Sequence, residues 1–334
     1  MDLKETVLKT ILLRDPPLLT QGERVLVAIS GGPDSLALLH VLISLRDNLA
    51  LDWLGAAHAD HGLRGSDSDG DREFVESFCT AHSVPCSTAR LDVPAIRTSR
   101  GVGMEEAARL GRYLFLEETA VRVQATKVAT AHTQDDRVES ILLHIIRGTG
   151  LEGLKGIPYQ RDQFIRPLLD ATRQDVEAYC ALNGLVPRID ASNSDTAIST
   201  RNRIRHELLP VLERDYNANV RRAIVSLSEI AVRDSEYMIS TAEDLLPTLS
   251  TKSKDGALKL DAQSLLNLPE AMQRHVLRRA INSVRGTLEF VGADGVEAVL
   301  SALREKRAFC HTTVPPHTRI LVKPTEIRIV LGLN

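Results

Sequence analysis

The chain has 334 residues, more than a single hydrophobic core usually organises, so two domains are expected. Its 43% hydrophobic and 25% charged residues exclude a largely disordered protein, and its four cysteines, Cys79, Cys86, Cys180 and Cys310, include no CxxC pair, which excludes a zinc ribbon or a dithiol redox motif. The net charge of −3 hides an uneven distribution: residues 251–334 carry 13 Lys and Arg against 8 Asp and Glu, which leaves −8 on the first 250 and makes the rear the part better suited to phosphates.

The N-terminal stretch MDLKETVLKTILLRD interleaves charges with apolar residues at helical spacing and lacks the basic-then-apolar plan of a signal peptide. No stretch approaches the roughly 18 consecutive apolar residues of a membrane-spanning helix, so a cytoplasmic protein without a membrane partner is expected. Apolar runs at 25–29, 53–59, 87–93 and 127–132 then alternate with segments of helical period at 35–47, 68–82, 104–123 and 135–147. Strand and helix in such alternation imply right-handed crossovers and a parallel, doubly wound α/β sheet covered on both faces, with its site beyond the carboxyl ends of the strands. After the glycine-rich RGTGLEGLKGIP (147–158), a last strand is expected near 164–168 and a helix over 173–182, stopped by Asn183-Gly184. The small, polar stretch 189–200 reads as a loop, and the domain boundary is placed after it, giving a catalytic domain over 1–200 and a second domain over 201–334. The second domain is expected to be mainly helical, over 201–246, 261–285 and 292–307, with TKSKDG (251–256) as a break and a tail of short strands.

The segment VLVAISGGPDSLALLHVL (25–42) runs a buried strand through a Ser-Gly-Gly turn into a helix. Backbone N–H groups converging at a helix start hold phosphate well, and glycine allows the close approach. It is neither the lysine-bearing nucleotide P-loop nor the GxGxxG dinucleotide turn. A plain strand-to-helix turn with Ser35 as N-cap is the competing reading. Past the second strand stand His58, Asp60, His61 and Arg64; two histidines and an aspartate invite a metal reading, but no further ligand at metal-like spacing accompanies them. Arg109 and Arg112 lie three apart on one helix face, either simply solvated or placed to stabilise charge on a phosphate. His132 ends a strand, and Asp135, Asp136 and Glu139 follow at the start of the next helix, where acids also serve as dipole complements. Arg201, Arg203, Arg205 and His206 open the second domain as a basic face, either solvated or reading phosphates.

Ser-Gly-Gly-Pro-Asp-Ser after an apolar strand resembles the pyrophosphate loop (PP-loop) of ATP pyrophosphatases. Taken in order, SGGPDS, HADHGLRG, EEAARLGRY, AHTQDDRVES, RGTGLEGLKGI and RNRIRHELLPVLE are similar to the bacterial tRNA(Ile)-lysidine synthetases, continuously from about residue 22 to 215. Beyond Tyr216 the likeness is one of plan only. The resemblance implies a PP-loop sheet followed by a tRNA-contacting domain, and ATP with Mg2+ as cofactors. The implied reaction adenylates the carbonyl at carbon 2 of the wobble cytidine in tRNA(Ile) with a CAU anticodon, after which the side-chain amine of L-lysine displaces AMP. It further implies Ser30, Gly31, Gly32, Pro33 and Ser35 around the pyrophosphate, with His58 also toward the nucleotide and Asp34 at magnesium. Arg109, Arg112 and His132 are then expected at the α-phosphate or activated base. Asp135, Asp136 and Glu139 are expected at the lysine, with Asp136 or Glu139 as base, and Arg64, Arg201, Arg203 and Arg205 at the tRNA. Members often form homodimers.

Two departures stand out. The family usually has Gln where this chain has Arg137, which bears on lysine positioning if the side chain points into the site; relatives often carry an aromatic where Ser199 and Thr200 stand here. Two rival readings are a tRNA 2-thiolase, which commonly relies on cysteines whose spacing is missing here, and a non-catalytic tRNA-binding protein, against which the intact SGGPDS, His132 and Glu139 argue.

Overall fold

The computed structural model describes residues 2–60, 66–188, 200–253, 256–287, 291–312 and 318–331. The chain forms two compact units, residues 1–229 and 230–334.

The first unit is built on a six-stranded sheet. Its elements run α1 (Leu3–Leu12), β1 (Arg24–Ala28), α2 (Pro33–Leu45), β2 (Trp53–Asp60), α3 (Ser66–Ala81), β3 (Cys86–Arg90), α4 (Val93–Arg100), α5 (Met104–Arg122), β4 (Lys127–Ala129), α6 (Gln134–Arg147), α7 (Leu151–Leu154), β5 (Gln160–Arg161), β6 (Phe164–Ile165) and α8 (Arg173–Leu182). The strand order is β3-β2-β1-β4-β6-β5, parallel except for the edge pair β5–β6. Val25, Leu26 and Val27 of β1 are all buried, as a central parallel strand requires, and successive side chains serve opposite faces. Val25 and Val27 join a core with Leu3, Val7, Leu39 and Val176 from α1, α2 and α8, whereas Leu26 joins Leu116, Ala120, Val128 and Phe164 beneath α5. Chain order runs from β1 outward through β2 to β3 and then returns to β4 on the other side of β1. The crevice between the carboxyl ends of β1 and β4 is therefore a topological switch point, where open α/β sheets bind ligands.

The anticipated strands and helices of this unit fall within a few residues of their expected ends. The boundary after residue 200 differs from the division into compact units. Short α9 (Thr200–Arg203), a π-helical turn (Ile204–Leu208), α10 (Leu209–Asp215) and the start of α11 (Val220–Leu249) belong to the first unit, because Ile204, Leu209 and Ile224 pack with Val138 and Ile141 of α6.

The second unit takes the rest of α11, then β7 (Ser250–Lys252), β8 (Leu258–Asp261), α12 (Ala262–Leu266), α13 (Glu270–Arg285), α14 (Ala293–Arg304), β9 (Phe309–Thr312), β10 (Thr318–Val322) and β11 (Glu326–Leu331). Its strands form one antiparallel sheet, β7-β8-β11-β10-β9. The helical region with strands at the tail is present, and two further strands join them: Thr251 and Lys252 of the expected break lie in β7, which pairs with β8, where buried Leu258 and Leu260 alternate with Lys259. Among the described residues no helix is long and apolar enough to cross a membrane.

Arg137, only 2% exposed, ties α6 to its surroundings. Its Nε and Nη2 donate to Ser228 Oγ at 3.2 and 3.0 Å, and its Nη1 donates to Tyr159 Oη at 3.0 Å. Tyr159 in turn donates to Asp170 Oδ1 at 2.5 Å, while Arg14 lies 3.6 Å over the Tyr159 ring and donates to Asp170 Oδ2. Removing a buried, hydrogen-bonded charge strands its partners, so Arg137→Ala is expected to cost about 3 kcal/mol in urea unfolding while leaving nucleotide affinity within about twofold. An unchanged unfolding midpoint would show that the network contributes no net stability.

Candidate active site

A cavity of about 420 Å³ opens at the switch point. Ser30, Asp34, His58, Arg112, His132 and Arg173 supply polar groups to its lining, and Ala28, Ala57, Tyr113 and Leu116 supply apolar ones.

The loop from Ser30 to Ser35 forms one wall. Gly31 sits at φ +87°, a region costly for any residue with a Cβ, and Gly32 caps α2 with Pro33 in its first turn. Ser35 is therefore inside the helix and is not its N-cap. Its Oγ accepts the Ser30 N–H at 3.1 Å and donates to the Gly32 carbonyl at 3.1 Å, holding the turn closed upon itself. From outside, the backbone N–H of Arg188 donates to the Gly31 carbonyl at 3.0 Å. A helix start preceded by such a fixed turn is suited to an anion.

Asp34 stands in the first turn of α2 with its Oδ1 buried and, among the described residues, without a hydrogen-bond partner. Burial, with repulsion from Asp136 and Asp135, pushes its carboxyl up from 3.8 to about 6 against the opposing pull of Arg173 and Arg205. The pull of the two arginines does not offset its burial. Among the described residues no cluster of three or more His, Cys, Asp or Glu could cage a metal alone. Mg2+ commonly takes one or two carboxylates and completes its shell with substrate phosphates and water, so the donor set fits a metal that arrives with a polyphosphate.

His58 is buried, and its Nδ1 lies 2.9 Å from the Ile29 carbonyl, which can only accept. The Nδ1 therefore donates to that carbonyl, and buried Nε2 has no hydrogen-bond partner among the described residues. His132 is fixed likewise: Thr130 Oγ1 donates to the Ile165 carbonyl at 3.3 Å and faces His132 Nδ1 at 3.1 Å. Burial, reinforced by Arg166, Arg112 and Arg201, holds the His132 imidazole well below its ordinary pKa despite Asp136, so it is neutral at pH 7.

The two arginines of α5 separate. Arg112 lines the cavity, whereas Arg109 grips Glu106 with Nε at 2.8 Å and Nη2 at 2.6 Å on the outer side of the helix. Arg173, which the sequence reading passed over, enters the cavity from the start of α8. Its position immediately after the Thr172 capping box reads simply as a helix start, so only the fold reveals that α8 begins beside Asp34.

The acids of α6 are all engaged. Asp135 Oδ2 accepts the Arg173 backbone N–H at 2.7 Å and Oδ1 accepts Arg221 Nη1 at 2.5 Å. Asp136 Oδ2 closes the Thr133 capping box at 2.8 Å, and Oδ1 faces Arg205 at 3.4 Å. Burial works to raise the Asp136 pKa, but His132, the Thr133 N–H, Arg201 and Arg205 together bring it below the ordinary value. Glu139 is fully enclosed and meets Arg205 in a fork, Nε to Oε1 at 2.5 Å and Nη2 to Oε2 at 2.9 Å, with Arg201 Nε 3.4 Å away. Arg201 and Arg205 thus face inward toward the acids, and Arg203, with a side chain 66% exposed, is the member of that set that faces solvent. Arg137 points into the α6–α11 contact and not into the cavity. His61, Arg64 and Ser199 lie outside the described residues.

A parallel sheet whose switch point holds a Ser-Gly-Gly anion turn, an unpaired carboxylate and two arginines defines a nucleotide-binding PP-loop protein, and the family model for the PP-loop domain matches residues 4–212. The tRNA(Ile)-lysidine synthase of Geobacillus kaustophilus (strain HTA426) is 42% identical over 266 residues, covering 78% of this chain and 56% of that protein. The tRNA(Ile)-lysidine synthase of Clostridioides difficile (strain 630) is 33% identical over 311 residues, covering 93% of this chain and 67% of that one. Among solved structures, the U34-tRNA thiolase NcsA from Methanococcus maripaludis with its [4Fe-4S] cluster shares the fold, with a TM-score of 0.56 at 18% identity over 69% of this chain and 78% of that one. The chain belongs to the PP-loop family and, within it, to the tRNA(Ile)-lysidine synthases. It spans about half to two thirds of the length of the curated relatives it matches.

Two expectations follow from the geometry. Because the folded-state pKa of Asp34 lies above its ordinary value, its stabilising contribution is complete below pH 3.8 and is lost as pH rises through about 6. Asp34→Asn should flatten that part of the pH–stability curve, by roughly 3 kcal/mol. Calorimetry of Mg2+–ATP binding near pH 6 in buffers of differing ionisation heat should show proton release in the native chain and none in the variant. Separately, Arg205→Ala leaves Glu139 enclosed with one distant cation and should cost about 3–5 kcal/mol, much of it regained on adding Glu139→Gln. Equal unfolding midpoints for the single and double variants would deny the pair its structural role.

Proposed function

We propose that the chain carries the lysidine-forming activity: adenylation of the carbon 2 carbonyl of the wobble cytidine in tRNA(Ile) with a CAU anticodon, followed by attack of the lysine side-chain amine. In the first step the cytidine oxygen attacks the α-phosphorus of ATP and pyrophosphate leaves; in the second the amine bonds to carbon 2, AMP leaves and a proton is lost. The observation that carries the reading is the meeting, in one cavity, of the Ser30–Ser35 turn, the unpartnered Asp34 oxygen, Arg112 and Arg173.

The turn suits the departing β and γ phosphates, and Asp34 would hold Mg2+ against them, where the ion neutralises charge on the leaving group. Arg112 and Arg173, which both line the cavity, would meet the α-phosphate, a role in which preorganised charge costs no rearrangement as the reaction proceeds. The apolar groups of the lining suit a base, and His58 Nε2 offers an acceptor to an amino or hydroxyl hydrogen of the nucleotide.

Lysine arrives as an ammonium, with a reference pKa near 10.4, and must shed a proton before attack. Neutral His132, with Nδ1–H committed to Thr130, presents Nε2 as an acceptor beside ionised Asp136. His132, which lines the cavity, is the candidate to draw off the proton, since both oxygens of Glu139 and both of Asp136 are already held by neighbouring donors. Asp136 supplies the negative charge that attracts the incoming amine. The thiolase reading finds less support, since none of the four cysteines lines the cavity.

Incubation with ATP, radiolabelled lysine and CAU-anticodon tRNA(Ile) is expected to transfer label to the RNA with equal yields of AMP and pyrophosphate. Asp34→Ala should lower kcat/KM by roughly two to three orders of magnitude with the fold retained. Release of ADP and orthophosphate, or label entering RNA from sulfide and not lysine, would falsify the proposal.

A further inference from the structure

The α10–α11 loop presents an exposed aromatic ring that the scheme above leaves unused. Tyr216 is 78% exposed, and among the described residues no neighbouring ring or guanidinium stacks on it. An apolar ring that gains nothing from burial has another use when its backbone is held rigid, and here it is held rigid. The N–H groups of Tyr216 and Asn217 both donate to the Leu212 carbonyl, at 3.2 and 2.8 Å. The N–H of Val220 donates to the Asn217 carbonyl, and the Asn217 side chain accepts the Asn219 N–H at 2.9 Å. An ion pair between Glu213 and Arg221 at 2.6 Å fastens the two sides of the loop together.

The same Arg221 fixes where the loop sits. Its Nη1 reaches Asp135 at 2.5 Å, and the other oxygen of Asp135 holds the backbone N–H of Arg173, whose side chain lines the cavity. Tyr216 is therefore anchored through two linked ion pairs to the helix starts that form the mouth of the site. A nucleotide whose base enters a closed pocket must leave its stack, and its neighbours in a single-stranded loop then expose faces that have lost a partner. An exposed tyrosine on a loop tied to those helix starts offers one a replacement.

We propose that Tyr216 is the stacking platform for a base of single-stranded RNA flanking the nucleotide that enters the cavity. This inference rests on the RNA-modifying reading above and adds the residue that holds the substrate strand. Tyr216 is a positioning residue: it acts on how the RNA is held and touches no reacting atom.

The test uses the full chain and an unmodified tRNA(Ile) with a CAU anticodon. Affinity is read by fluorescence anisotropy, independently of turnover, and kinetics are then read with ATP and lysine saturating. Tyr216→Ala is expected to weaken RNA binding about tenfold and to raise KM for the tRNA by a similar factor, with kcat, ATP affinity and melting temperature nearly unchanged; Tyr216→Phe, which keeps the stacking face, should stay within twofold of the native chain. Two results overturn the platform while leaving the reaction standing: an alanine variant that binds RNA as the native chain does, or a phenylalanine variant as weak as alanine, which would assign the effect to the hydroxyl. A native chain that binds the tRNA with the expected Tyr216 dependence yet transfers no lysine would support the platform and overturn the reaction.

Discussion

Glu139 is a carboxylate with no access to solvent, and much of the first unit is arranged around that fact. A lone buried charge costs several kcal/mol, so the fold must bring it a cation with hydrogen bonds to both oxygens. Arg205 supplies the fork, and to do so residues 200–209 have to lie against α6. The π-helical turn over Ile204–Leu208 is where that fit is made: Arg205 turns to the acids while Ile204 and Leu209 pack with Val138 and Ile141. This contact also joins 200–229 to the sheet-bearing unit instead of the one that follows.

The same arrangement explains why Asp34 is left wanting. Arg205 is shared between Glu139 and Asp136, and Asp136 is further secured by its own helix cap. Asp34 therefore receives only a remnant of positive charge from Arg173 and Arg205, set against the repulsion of two aspartates and its own burial. Burial still holds the Glu139 carboxyl above its ordinary pKa even with Arg205 across both oxygens, and Asp34, which has no such fork, is raised as well, to about 6. The contrast with Asp135, pinned by Arg221 and a backbone N–H, makes the point within one cluster.

Much of this was legible in the sequence because local signals agreed. The helical period over 135–147 and 173–182 announces α6 and α8, and the Ser-Gly-Gly turn between an apolar run and a helical one announces the strand-to-helix junction at β1 and α2. The basic run 201–205 carried a signal that was readable in part. Residues 201 and 205 are four apart and share a helix face, while 203 lies on the other, so one face was bound to differ from the other. Which face turns inward depends on the enclosed acid three helices earlier, and no local pattern states that. Arg173 and the β7–β8 pairing were missed for a related reason: each is a short feature whose meaning comes from a distant neighbour, Asp34 for the first and β11 for the second.

The protonation of His132 links these parts. Its imidazole is neutral because it is buried and because Arg166, Arg112 and Arg201 crowd it with positive charge, which Asp136 opposes only partly. The same surroundings limit what the ring can do in the reaction proposed above. Burial and the three arginines all disfavour the imidazolium, and among the groups that act on the ring Asp136 alone favours it. A proton accepted at Nε2 would therefore have to be passed on and not stored, and the proposed role of His132 is that of a relay whose direction is set by the one carboxylate beside it.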